Sequence, residues 1–224
     1  MKETSKSKQF WGPTEEDATQ GHGIDIGCGP DPVRADAIRF DRENGDANRI
    51  TDFVHQEFDY VYSSHCLEHM DDPRQAILEW WKLVKPGGHL FVVVPDEDLY
   101  EQGAFPSRFG PEHKATFTIS KAKSWSSHSI NVFDLARSLP GGEIVSLELQ
   151  DRNYDLSLMS HGALQPGWLV RLAAKFRTVL CLLISSDERK GLARWFSGFY
   201  PVDQTNSAAS AQAQIQLIVR KGRT

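Results

Sequence analysis

The sequence is short of cysteine, and the few cysteines it has lie far apart. Only three occur among its 224 residues, at Cys28, Cys66 and Cys181. An odd, widely spaced set provides neither a disulfide framework nor the paired spacing of a zinc knuckle. The chain is therefore expected to fold around an ordinary apolar core in a reducing compartment, and the cytoplasm is the predicted location.

Long apolar runs and an excess of positive charge are also missing. No uncharged stretch of 18 apolar residues occurs, so no membrane-spanning helix is predicted. The lysines near the N-terminus are not followed by an apolar segment, so we do not expect a signal peptide. Lysine and arginine number 25 against 30 aspartates and glutamates, a formal net charge of −5. This balance argues against a broad nucleic-acid-binding face.

What the sequence does contain is a short apolar segment that runs into a glycine loop, Gly23–Pro30. Gly27 and Gly29 allow a tight turn close to a ligand, although an isolated Gly-x-Gly more often marks an ordinary turn. Asp41 ends the next predicted strand, where a carboxylate can accept hydrogen bonds from both hydroxyls of a ribose. The third glycine of a dinucleotide fingerprint is missing, which favours a cofactor without a pyrophosphate.

The order of the predicted elements indicates an α/β fold. Strands are expected at 23–26, 37–40, 47–50, 58–64, 89–94, 143–149 and 213–220, and helices at 72–85 and 130–139. The connection between the first two strands is too short for a crossover helix, so the first helix is expected to be truncated. Strands that alternate with helices predict a doubly wound, mostly parallel sheet.

The chain divides into three predicted parts. Residues 1–22 are polar and are expected to form an irregular lead-in. Residues 23–152 and 213–224 make up the α/β domain, in which 97–127 is a loop with one or two short helices over the site. Residues 153–212 are predicted to be a helical insertion between the last two strands, with a flexible polar connector at its end.

Three blocks of the sequence together resemble the class I S-adenosylmethionine-dependent methyltransferases, and most closely their "type 11" small-molecule group. They are the glycine loop, the segment Phe58–Pro73 and the segment Leu83–Leu90. Their order and spacing are far more specific than any one block. The resemblance covers about residues 23–95. It implies a Rossmann-like sheet with an antiparallel last strand, S-adenosyl-L-methionine as cofactor, and methyl transfer as the activity.

The resemblance also implies a set of cofactor-binding residues. The glycine loop and the acid before it would line the methionine and ribose, and the acid that ends the second strand would take the ribose hydroxyls. The following loop would lie by the adenine, with Asp52 as an alternative to Asp46. The end of the 58–64 strand would lie beside the methionine end and the transferred methyl. The residues concerned are Asp25, Gly27, Cys28, Gly29, Asp41, Asp46, Ala47, Ser64 and His65.

Two histidines are predicted as the catalytic base. His113 follows the fifth strand, in the loop expected to cover the site, and is the first choice, with His65 as the runner-up. An exposed loop histidine without a catalytic role is the alternative for His113, and a place in the cofactor wall is the alternative for His65.

The segment His65–His69 also spells His-x-x-Glu-His, the inverted zinc-protease motif. In that interpretation His65 and His69 bind zinc and Glu68 acts as the base. The motif begins at the end of a strand, however, and the signals for a helix start only at Asp72. We therefore predict no metal site, and we expect Glu68 and His69 to pin the loop that leads into the helix.

The predicted function is transfer of a methyl group from S-adenosylmethionine to a small-molecule or glycan- or lipid-linked acceptor, at oxygen. Asn-Pro-Pro-Tyr is absent from the end of the 58–64 strand, which argues against methylation of adenine or amide nitrogens. A catalytically inactive S-adenosylmethionine-binding regulatory or scaffold protein is the alternative, and an NAD-dependent oxidoreductase is less favoured. The basic, apolar segment 168–199 is assigned to covering the acceptor pocket, with a dimer contact or a peripheral membrane contact as alternatives.

Overall fold

The computed structural model describes residues 3–119, 121–159, 201–206 and 211–223. The strands are β1 (Gly23–Ile26), β2 (Ile38–Phe40), β3 (Phe58–Ser64), β4 (Val84–Pro95), β5 (Thr116–Thr118), β6 (Ser129–Asn131), β7 (Gly142–Gln150) and β8 (Gln214–Lys221). The α-helices are α1 (Glu3–Lys8), α2 (Pro13–Asp17), α3 (Pro73–Lys82) and α4 (Val132–Arg137).

Six of these strands form one sheet in the order β2-β1-β3-β4-β8-β7, and β5 and β6 form a separate parallel pair. The first four strands of the large sheet run parallel, whereas β8 is antiparallel to both of its neighbours, β4 and β7. This arrangement confirms the predicted Rossmann-like fold. The carboxyl ends of β1 to β4 meet at one edge, which is where such sheets bind ligands.

The connection between β1 and β2 contains turns and no helix, as the sequence predicts. Val33, in the middle of this connection, is fully buried, and its backbone N–H donates to Oδ2 of Asp25 at 2.6 Å. The segment is therefore held against the sheet by a side chain of β1, which replaces the internal hydrogen bonds of a helix.

The N-terminal segment is more ordered than the irregular lead-in that its polar sequence suggests. It forms α1 and α2, and Trp11 between them packs on Tyr62 and Phe91 of the sheet, with ring centroids 6.1 and 5.3 Å apart. These short helices lie over the side of the sheet where the truncated first helix leaves room. Ring contacts with the sheet, and not helical periodicity, fix their position.

Two other expectations about local structure are wrong. Residues Ala47–Asp52 form a 3-10 helix instead of a strand, because the carboxylate of Asp46 caps it by accepting from the N–H of Asn48. In the described residues of the 97–127 loop there is no α-helix, and the regular element is β5, which pairs with β6.

Helix α3 covers the opposite face of the sheet. Asp72 caps its first turn, with Pro73 at the first helical position, and Trp80 and Trp81 are buried against the strands as predicted. The indole N–H of Trp80 donates to the carbonyl of Ala47 at 2.9 Å. Helix α3 thus holds the 3-10 helix in place, and the 3-10 helix forms one wall of the edge of the sheet where a ligand would bind.

Most of the predicted insertion, including the segment 168–199, lies outside the described residues. No helix within the described ranges is long and apolar enough to cross a bilayer.

Candidate active site

The glycine loop adopts a conformation that only glycine tolerates well. Gly27 and Gly29 have φ angles of +75° and +50°, in the left-handed region that disfavours side chains. A Cβ atom on Gly27 would lie 2.7 Å from the Sγ of Cys66, whereas one on Gly29 would meet no atom within 4 Å. The loop is therefore packed tightly on one side and open on the other.

The carboxylate of Asp41 fastens this loop to the end of β2. Its Oδ2 accepts from the N–H of Gly29 at 2.8 Å, and its Oδ1 accepts from the N–H of Arg42, also at 2.8 Å. The guanidinium of Arg39 donates to the carbonyl of Gly29. Each carboxylate oxygen keeps a further lone pair, so Asp41 can still accept a hydroxyl from a ligand.

Asp25 lies beneath the loop and is almost completely buried, with 1% of its surface exposed. Among the described residues its Oδ1 has no hydrogen-bond partner. Burial raises the pKa of this carboxyl to about 7. An unpartnered, buried oxygen of this kind suits a positively charged or hydrogen-bonding group of a ligand.

A large cavity of about 800 Å³ opens at the carboxyl ends of the parallel strands. Of the residues predicted to bind the cofactor, it brings together Gly27, Asp41, Asp46, Ala47 and His65. A smaller neighbouring cavity of about 330 Å³ shares Asp41 and is lined by Cys28 and Gly29. Neither cavity is lined by the remaining two predicted residues, Asp25 and Ser64, although both are buried nearby.

This donor set fits S-adenosylmethionine. The large cavity is lined by the Asp46–Ala47 turn, by Asp41, and by Gly27 and His65. A nucleoside joined to an amino acid requires a carboxylate for its hydroxyls, an open glycine loop, and a buried carboxyl oxygen that is free to bind it. In the part of the chain that the structure describes, no helix begins at the glycine loop to hold a pyrophosphate.

His113, predicted as a base in the loop that covers the site, is buried, with only 8% of its surface exposed. Its Nδ1 lies 2.7 Å from Oε1 of Glu101, a hydrogen bond that fixes the ring. The ring stacks on Tyr100 and meets the edge of the His69 ring, with centroids 5.5 and 5.0 Å apart. The exposed-loop alternative is therefore wrong, and His113 is a packed residue of the site wall.

His65 follows β3 with a φ of +53°, unusual for a residue with a side chain. Its Nε2 lies 3.2 Å from Oε1 of Gln214, and its Nδ1 lies 3.4 Å from Oε1 of Glu68. This strained turn aims the imidazole into the large cavity, beside the glycine loop.

Charge coupling sets the protonation of these groups. Burial lowers the pKa of His65, but the neighbouring Glu68 outweighs it and the pKa rises to about 9. Burial likewise lowers the pKa of His113, but its hydrogen bond to Glu101 raises this pKa by more, so the pKa lies above its usual value. Burial raises the pKa of Glu68, and His65 more than compensates, so the net shift is downward.

A third cavity, of about 200 Å³, adjoins the large one, and His65 and His69 line both. Glu68, Tyr100 and His113 complete its inner wall. The sequence did not single out Glu101 or Tyr100. Their roles depend on how the 97–127 loop folds back, and no local pattern encodes that path.

Residues 22–92 match the model of a family described as a methyltransferase domain. Over residues 22–92 the chain is thus similar to a methyltransferase domain, in agreement with the predicted S-adenosylmethionine-dependent methyltransferase fold. Phosphoethanolamine N-methyltransferase 2 of Caenorhabditis elegans is 27% identical to it over 86 residues, which are 36% of this chain and 20% of that protein. The chain thus spans about a fifth of the length of the curated relative that it matches.

Solved structures similar to the methyltransferase domain include a candidate methyltransferase from Bacillus halodurans. It is 13% identical, with 99% of this chain and 100% of the other covered and a TM-score of 0.49. Phosphoethanolamine N-methyltransferase 2 of Haemonchus contortus in complex with S-adenosyl-L-methionine is also 13% identical. There, 84% of this chain and 38% of the other are covered, with a TM-score of 0.38.

Proposed function

We propose that the protein transfers the methyl group of S-adenosylmethionine to a hydroxyl oxygen of a small molecule or of a glycan- or lipid-linked acceptor. The observation that carries this proposal is the pair of adjoining cavities with a shared histidine wall. The cavity of about 800 Å³ is lined by five of the nine predicted cofactor residues, and the cavity of about 200 Å³ beside it has room for part of an acceptor.

The protein's contribution to such a reaction is alignment. S-adenosylmethionine supplies a methyl group on a sulfonium, whose sulfur leaves without needing an acid. Asp41 would hold the ribose, the Asp46–Ala47 turn the adenine, and the glycine loop with Asp25 the methionine end. Holding both reactants in one geometry removes the translational and rotational cost of a bimolecular encounter.

An oxygen acceptor must also lose a proton, and the second cavity provides groups for this. His113 is our first choice for receiving that proton and His65 the second, because both line the smaller cavity. With its pKa raised to about 9, His65 could receive the proton only in alkaline solution, where the imidazole is neutral. Glu101 orients the His113 ring through the bond to Nδ1 and leaves its Nε2 as the nitrogen able to act.

Calorimetry with S-adenosylhomocysteine tests the cofactor assignment. In Asp41→Asn the amide oxygen can keep the bond to Gly29, but the charged acceptor for the ribose is lost. We expect binding to weaken about 10- to 100-fold, the usual cost of losing a hydrogen bond to a charged group. The matched control is Asp134→Asn, which changes an exposed acid on α4 and should bind as the wild type does.

Several results would contradict the proposed cofactor or the proposed reaction. Binding of NAD without binding of S-adenosylhomocysteine would contradict the assignment. A second assay follows radiolabelled methyl from S-adenosylmethionine into cell extract. Cofactor binding with no labelled product from any extract would favour an inactive binding protein, and a product methylated on nitrogen would contradict the choice of oxygen.

A further inference from the structure

The methyltransferase chemistry proposed above leaves one group of buried side chains unexplained. Glu68 is completely buried, and among the described residues neither of its carboxylate oxygens has a hydrogen-bond partner. The nearest basic atom, Nδ1 of His65, lies 3.4 Å from Oε1 without forming a hydrogen bond. Oε1 thus has an ion pair with His65 but no hydrogen bond, and Oε2 has no hydrogen bond among the described residues. A buried carboxylate oxygen left in this state is costly, and it can accept a ligand or ion.

Two imidazoles face the same carboxylate. One nitrogen each of His69 and His113 and one oxygen of Glu68 all lie within 4.8 Å of one another. The backbone fixes this meeting, because the N–H of Lys114 donates to the carbonyl of Glu68 at 2.7 Å. The loop that carries His113 is thus tied directly to the turn that carries the other two residues.

The outer nitrogens of both rings are already engaged. Nδ1 of His113 bonds Oε1 of Glu101 at 2.7 Å, and Nδ1 of His69 lies 3.4 Å from the carbonyl oxygen of Glu112. This is how metal-binding histidines are oriented: one ring N–H donates to a carboxylate or carbonyl, and the other nitrogen is left for the metal. A Cβ atom on residue 110 would lie 2.3 Å from Nε2 of His113, so the ring packs closely against Gly110 and a side chain at this position would collide with it.

We propose that Glu68, His69 and His113 bind a divalent transition-metal ion of the Zn²⁺, Co²⁺ or Mn²⁺ kind. Two imidazoles with one carboxylate are a ligand set that such ions accept, with bonds of about 2.1 Å. Small side-chain rotations would bring the three ligand atoms from their present spacing to one centre. The negative charge of the carboxylate would then be compensated at both oxygens.

The place of the cluster suggests what the ion does. Three protein ligands leave coordination positions open for water or another oxygen. The ligands line the smaller cavity, which adjoins the cofactor cavity at His65 and His69. If the proposed methyl transfer holds, the ion would bind the acceptor through its oxygen and lower the pKa of its hydroxyl. The acceptor class would then be a hydroxyl compound able to coordinate a metal.

Metal binding can be measured without any methyl-transfer assay. Chelator-treated full-length chain is titrated with Co²⁺, followed by visible absorption, and with Zn²⁺, followed by calorimetry. We expect one ion per chain. We also expect binding to weaken about 100-fold or more in Glu68→Gln and His69→Gln, because even outer partners of metal ligands are worth 10- to 100-fold. His55→Gln, at an exposed position, is the matched control and should bind as the wild type does.

The comparison of Glu68→Gln with His69→Gln separates a loss of metal binding from a loss of folding. His69 is only partly buried, so His69→Gln should keep the wild-type melting temperature in chelator even if Glu68→Gln does not. Absence of binding by the wild-type chain, or unchanged binding in folded His69→Gln, would overturn the proposal. Metal binding without S-adenosylhomocysteine binding would support the site while contradicting the proposed function.

His113→Gln separates the two roles considered for this residue. A metal ligand predicts that bound metal and turnover fall together. A free base predicts that turnover falls while metal content stays at the wild-type level, and that result would contradict His113 as a ligand.

Discussion

At the scale of single residues, the burial of Asp25 in the ligand site makes the stability of the folded protein depend on pH. Its carboxyl is buried and keeps one oxygen without a partner among the described residues. Burial raises its pKa to about 7, from about 3.9 in an unfolded chain. At pH values between about 3.9 and 7, Asp25 binds more protons in the folded state than in the unfolded state. Stability from this group is present at low pH and is lost as pH rises through about 7.

We expect Asp25→Asn to remove that dependence. From pH 4 to 8 the wild-type free energy of unfolding should fall relative to the variant, by at most about 4 kcal/mol for a shift of this size. Urea denaturation at several pH values measures both curves, and Asp134→Asn should run parallel to the wild type. A constant difference between wild type and Asp25→Asn across this range would contradict the burial effect.

The sequence also predicts which single residues lie together at the ligand edge of the sheet. Gly27, Asp41, Asp46, Ala47 and His65 meet in one cavity, because the carboxyl ends of neighbouring parallel strands must meet at one edge. The pairing of His113 with Glu101 could not be predicted in this way. It depends on the path of a long loop with no repeating pattern.

At the scale of elements, the start of α3 is determined by local capping hydrogen bonds. Asp72 accepts from the N–H groups of Arg74 and Gln75 at 3.0 and 3.3 Å, which satisfies two donors of the first turn. An aspartate followed by proline is a strong start signal, and the sequence placed this end correctly. The strand predicted at 47–50 is wrong, because its few apolar residues do not outweigh the capping carboxylate of Asp46, and a 3-10 helix forms there.

Asp72→Ala is expected to lower the free energy of unfolding by about 1 kcal/mol, the usual value of such a cap. Asp71→Ala is the neighbouring control. It removes only an exposed pair with Lys114, and such pairs contribute little. Urea denaturation of the two variants compares the positions directly, and an equal loss in both would show that capping is not the cause.

At the scale of the whole molecule, the N-terminal helices complete the side of the sheet next to the short β1–β2 connection. Trp11 packs on Tyr62 and Phe91, and two glutamines of β8 extend the contact. Gln214 donates to the hydroxyl of Ser7 at 2.8 Å, and Gln216 donates to Glu15 at 2.7 Å. This packing cannot be predicted from the sequence, because it joins residues some 200 positions apart through polar groups that are typical of a protein surface.

Trp11→Ala should therefore destabilise the whole domain, by about 2–4 kcal/mol, since it removes a large ring from a packed face. Trp125 is 40% exposed, so Trp125→Ala is the control and should cost less than about 1 kcal/mol. Thermal melting of both variants provides the measurement. A small effect at Trp11 would mean that α1 and α2 are not needed for the sheet.

The position of β8 has a consequence for how the protein is made. β8 pairs with β4 and β7 along its length, yet it is the last strand of the sheet to leave the ribosome. Contacts such as Val92 with Leu217 close loops of well over a hundred residues, and such long-range pairing slows folding. Until β8 arrives, the apolar edge of β4 is unpaired and open to strands of other chains. Nascent chains stalled before residue 214 are thus the form most exposed to aggregation.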